Sequence, residues 1–102
     1  MPIMRKNTKV RKKHKYKHVI LDKKKYYFYI IKWHDIIGDS GHHDKKSLHN
    51  MEPAKMVTQG YIFYKDNQQV ISFASYDEDQ TTFSDINVFP RGCVKTMRKV
   101  EL

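Results

Sequence analysis

The segment Tyr26-Tyr27-Phe28-Tyr29-Ile30-Ile31-Lys32-Trp33 constrains the fold most, because seven of its eight side chains are aromatic or β-branched. Such residues fit a pleated, half-buried surface, and eight are few for a buried helix. The run therefore predicts a strand. Similar stretches flank it at Tyr16–Leu21, Val57–Tyr64, Gln69–Tyr76 and Ser84–Phe89. Between them lie polar turns at Asp22–Lys25, Lys65–Gln68 and Asp77–Gln80. Strand runs bounded by short Asp- and Asn-containing turns predict hairpins, the clearest around Asp66-Asn67.

The polar stretch His34–Asn50, with Gly38 and Gly41, reads as a long loop, and Glu52–Met56 as one helical turn that tolerates Pro53. Gly60 inside a strand suggests a bulge or bend. Val94, Met97 and Val100 suggest a 3₁₀ turn leading into a short closing strand. The expected fold is a single all-β domain over residues 16–102, an SH3-like small barrel, closed or half-closed, of five to six short strands. Closure would remove free sheet edges.

Charge divides the chain differently. Residues 1–25 hold eleven Lys or Arg against Asp22 alone, or +10; residues 26–102 hold nine bases and ten acids, or −1; together these make the net +9. Residues 1–15 contain little apolar material and read as a disordered basic arm. Its cations and their neighbours, Arg5, Lys6, Lys9, Arg11, Lys12, Lys13, Lys15, Lys17, Lys23, Lys24 and Lys25, are the candidate nucleic-acid contacts. Binding through them would be salt-dependent and indifferent to sequence.

Alternation along Tyr26–Trp33 places Tyr27, Tyr29, Ile31 and Trp33 on one face and Tyr26, Phe28 and Ile30 on the other. Tyr27, Tyr29 and Trp33 are candidate stacking residues for unpaired bases. The competing and favoured reading is a central strand covered on both faces, or a seam between two copies.

His34, Asp35, Asp39, His42, His43, Asp44 and His49 offer imidazole and carboxylate ligands, of which His42, His43 and Asp44 are the best metal candidates. Their spacing fits no structural zinc pattern, so a hydrated loop is expected, with no metal or other cofactor. Asp77-Glu78-Asp79 with Asp85 reads as a solvated acidic turn. No activated nucleophile or phosphate-cradling loop is evident, so a small RNase-like or metal-dependent enzyme is the least favoured class. A single Cys93 fits a reducing compartment, the cytoplasm. No apolar run approaches the ~20 residues a spanning helix needs, and no secretory leader is expected.

The order of landmarks Trp33-His34-Asp35, Thr58-Gln59-Gly60 and Ile86-Asn87-Val88-Phe89-Pro90-Arg91-Gly92-Cys93-Val94 resembles a loose group of short proteins of tailed bacteriophages. These read approximately as W-x-D, T-x-G and I-x-x-[IF]-P-[RK]-x-C-[IV]. The resemblance spans Ile30 to Leu102, with Phe89 where Ile is usual, and names no site. It implies a phage accessory protein of SH3-like β architecture in the host cytoplasm. Two function classes follow: a binding module for nucleic acid or an acidic protein surface, and an inhibitor or sequestering protein that acts on a host protein or small ligand, with homo-oligomers possible.

Overall fold

The computed structural model describes residues 15–102, so the disorder expected of the arm over residues 1–15 lies outside the described residues except at Lys15. The described chain is mainly β. Its elements are β1 (His18–Leu21), β2 (Lys24–Asp35), a five-residue helix α1 (Lys45–His49), β3 (Ala54–Lys65), β4 (Gln69–Phe73), β5 (Ser75–Tyr76), β6 (Phe83–Ser84), β7 (Asn87–Pro90), a 3₁₀ turn (Arg91–Cys93) and β8 (Val94–Lys99). Six strands form one antiparallel sheet in the order β1-β2-β3-β4-β7, with β8 also on β2; β5 and β6 pair separately.

β2 organises the sheet. Asp22 and Lys23 both adopt positive φ, 48° and 69°, which fits a two-residue hairpin turn matched to strand twist. Lys24 and Lys25, expected in that turn, already pair with Leu21 and Ile20. Further along, one edge of β2 carries β3 from Phe28↔Tyr61 to Asp35↔Ala54, and β8 pairs from Tyr29↔Lys99 to Trp33↔Val94. β1 and β8 meet at Phe28, whose N–H donates to Lys17 O at 2.9 Å while its carbonyl accepts from Val100 N at 3.3 Å.

The sheet is open, which corrects the closed-barrel expectation: among the described residues no ladder joins β7 to β8 or β1. The closing strand β8 lies instead along β2. Nor are the strands uniformly short, since β2 and β3 each run twelve residues. The helical turn expected at Glu52–Met56 is overridden, because Met56, Lys55 and Ala54 pair with Trp33, His34 and Asp35. Helix α1 forms inside the expected loop, where the Asp44 carboxylate accepts from Ser47 N at 2.8 Å as N-cap. Gly60 lies in regular pairing opposite Tyr29, and the bulge falls later, between Ile62 and Tyr64. A Cβ at Gly60 would meet the Phe73 carbonyl at 3.2 Å, so close strand approach explains this glycine.

Two apolar clusters form on opposite faces. Tyr29, Ile31, Ile62, Val70 and Phe89 make the inner core, with Trp33, Val94 and Met97 packed against it. The ring of Trp33 lies 5.1 Å from that of Phe89, although two strands separate β2 from β7 in the sheet. The sheet must therefore curl round this core. Trp33 Nε1 donates to Thr58 Oγ1 at 2.9 Å, giving the half-buried indole its partner. Trp33, Thr58, Phe89 and Val94, far apart in the sequence, thus belong to one packed region.

The second cluster, Leu21, Tyr26 and Phe73, lies on the outer face and is covered by Phe83 of the β5–β6 hairpin. Asp77 fastens that hairpin by accepting from the backbone N–H groups of Thr82 and Thr81, each at 2.8 Å, and from Thr81 Oγ1 at 2.8 Å. These donors, Thr82 N–H foremost, lower its carboxyl from the ordinary 3.8 to about 2. Because the folded value is depressed, this stabilisation is complete above the ordinary value and disappears as pH falls through the folded one. The amides of Thr81 and Thr82 are expected to lose hydrogen-exchange protection between pH 4 and 2, and Asp77→Ala is expected to remove it at neutral pH. Unchanged protection in that variant would contradict the assignment.

Candidate nucleic-acid interface

Tyr29 and Ile31 pair across β2–β8 with Lys99 and Met97, so their row faces the inner core. The even row is therefore the outward one: Phe28, Ile30, Lys32 and His34. Register carries this face across the neighbours, to Tyr61, Gln59, Val57 and Lys55 of β3 and to Arg98 and Thr96 of β8. Lys95 occupies the β8 irregularity opposite Lys32 and Trp33. No Asp or Glu stands at an outward position of β2, β3 or β8.

At one end of this face the rings of Phe28 and Tyr61 meet edge-to-face at 5.0 Å, and Lys17 Nζ lies 4.0 Å from the centre of Phe28. At the other end is a hollow of about 390 Å³ whose lining includes Lys32, His34, Lys55, Val57, Lys95 and Thr96. Trp33 and Met56, of the inward row, also line it, and its exposed surface is almost wholly carbon. Lys55 also lies 3.7 Å from Glu52, an exposed pair of little energetic weight.

The expected arm cations divide. Arg5, Lys6, Lys9, Arg11, Lys12 and Lys13 lie outside the described residues. Lys15 lines a second hollow of about 280 Å³ with Tyr16, His18, Lys25, Tyr27 and Leu102. Lys23 sits in the β1–β2 turn, and Lys24 lies over the rings of Tyr26 and Phe63 at 5.5 and 5.9 Å. The stacking candidates divide too. Tyr29 is buried and Trp33 is half-buried against the inner core. Half-buried Tyr27 has Lys99 Nζ 4.1 Å and Lys25 Nζ 5.6 Å from its ring centre. Sequence reasoning missed Phe28, Tyr61, Lys32, Lys55, Lys95 and Arg98. Alternation grouped the β2 members correctly, but only pairing with β3 and β8 decides which row faces out.

The loop histidines form a different arrangement from the metal reading. His43 Nε2 lies 3.0 Å from Asp39 Oδ2 and His43 Nδ1 lies 3.2 Å from Ser47 Oγ. Asp44 is occupied as the α1 cap. Among the described residues no three His, Cys, Asp or Glu side chains gather as a metal-holding group. The Asp39–His43–Ser47 chain lies within one exposed loop and clasps α1 to it. His34 and Asp35, adjacent in a strand, project to opposite faces and make no dyad; Asp35 accepts from Ile36 N at 2.9 Å.

No protein-family model, curated protein or solved structure matches the chain. Among the described residues no helix is long and apolar enough to cross a membrane.

Proposed function

We propose that this chain is a non-catalytic module that binds single-stranded nucleic acid across the outer face of its sheet. The supporting observation is the coincidence, on the β2–β3–β8 part of that face, where no outward strand position carries a carboxylate, of the Phe28–Tyr61 ring pair with Lys17, Lys32, Lys55, Lys95 and Arg98. Unpaired bases stack on aromatic faces while cations beside them follow the phosphates. On binding, Lys17 leaves the Phe28 ring for a phosphate and a base takes its place. The basic segment running into Lys15 adds long-range attraction. We read the curl around the inner core as half of an SH3-like barrel, and the Trp33, Thr58 and Phe89 landmarks as those of a phage accessory protein acting in a host cytoplasm.

The test is fluorescence anisotropy of a labelled single-stranded oligonucleotide over a range of salt. Engagement of six cations predicts a log–log slope of about −4 for a single strand. No binding at low salt, or a flat dependence, would remove the reading.

A rival reading has its own observation. Ile86 and Val88 are exposed by 46% and 56% at or beside the free edge strand β7, and Phe63 of β3, exposed by 40%, shares a shallow hollow with Ile86, a surface suited to a host protein or a second copy. Light scattering that finds a dimer, together with absent nucleic-acid binding, would favour the sequestering or inhibitory protein.

A further inference from the structure

The hollow at the far end of the outer face has a composition that phosphate contact alone does not require. A cationic strip holding a strand only by its backbone needs charges and no cavity. Here Lys32, Lys55 and Lys95, together with His34 and Thr96, line a carbon-walled space of about 390 Å³. That volume lies within the ordinary range for small-molecule pockets, roughly 300–1,000 Å³. The occupant must bring both an apolar, flat body and negative charge.

We propose that this hollow seats one complete nucleotide of the bound strand, its base in the trough beside Val57 and His34 and its phosphate among Lys32, Lys55 and Lys95. The inference rests on the single-strand reading above, and it makes the far end of the face a base pocket. Charge complementarity selects the occupant: three lysines and no acidic residue line the space, and Glu52 stands outside the lining, 3.7 Å from Lys55 Nζ. Thr96 supplies the hydroxyl that a base edge meets, as donor or acceptor, and His34 supplies a flat ring beside it. Continuity supports the same assignment. Ile30 lies between Phe28 and Lys32 on the outward row, so a strand stacked at Phe28 reaches the hollow by following β2.

Val57 allows a clean test because its side chain is 57% exposed, so a larger residue there fills the trough without entering either core. Val57→Trp leaves every cation in place. Its fold is checked by circular dichroism and by the dispersion of core methyl signals. Against a short single-stranded oligonucleotide, the variant is expected to lose roughly ten- to a hundredfold in affinity, the range for one stacked base, with an unchanged salt slope. Against an abasic sugar-phosphate oligomer of the same length, the variant and the unaltered chain are expected to bind equally. Equal affinity of both proteins for the base-bearing strand would overturn the pocket and leave the face reading intact. Failure of the unaltered chain to bind it at low salt would overturn both.

Discussion

Phe73→Ala is expected to cost about 3–5 kcal/mol, the range for truncating a buried aromatic residue. Phe73 is fully buried at the end of β4 and touches three rings: Tyr26 at 5.3 Å, Tyr61 at 5.6 Å and Phe83 at 4.7 Å. Those contacts join β2, β3 and the β5–β6 hairpin, so collapse around the missing ring would have to move three elements together. A domain of this size commands only roughly 5–15 kcal/mol in all. The melting temperature should fall by roughly 15–30 °C. Val88→Ala, on the exposed side of β7, serves as control and should stay within about 0.5 kcal/mol of the unaltered chain. Urea denaturation checks both. A loss below about 1 kcal/mol for Phe73→Ala would mean that the outer cluster is not a core.

The second large effect concerns charge. Lys32, Lys55, Lys95 and Arg98 lie on or beside one face, and each one engaged with phosphate contributes about 0.7 to the salt slope on a single strand. Replacing all four by Ala should flatten the slope by about 3 and reduce affinity several-hundredfold near 0.1 M salt, with the two proteins converging towards 1 M. None of the four side chains is buried, so stability should change little. The comparison variant lacks residues 1–14, whose six cations supply attraction without shape. Its slope should also flatten, while its preference for single over double strands survives. If removing 1–14 abolishes binding and the four-residue variant keeps it, the sheet face is not the interface.

Much of the fold was legible because β-forming runs and turn residues are local signals. The hairpin at Asp66-Asn67 and the twofold alternation of β2 follow directly from side-chain period and turn chemistry. Pairing partners are not local. Glu52–Met56 has the composition of a helix start, yet strand pairing with Trp33–Asp35 decides its conformation. β8 was expected only as a short closing strand, and no alternation pattern along it identifies β2 as its partner. The same limit governed the site. Tyr29 and Phe28 look equally suited to stacking in the sequence, but Tyr29 belongs to the row opposite Gly60 and next to Met97, which turns it inward. Helix α1 was missed although Asp44 stands three residues before Ser47, a spacing suited to an N-cap; the polar composition around it concealed so short an element.

The most direct measurement is a backbone amide shift titration of the whole chain with a short single-stranded oligonucleotide. Progressive shifts confined to Phe28–His34, Lys55–Tyr61 and Lys95–Arg98, with Lys17 and the preceding basic residues, are predicted. Shifts centred on β7 and the Asp66 turn, with the β2 outward row silent, would contradict the outer-face interface.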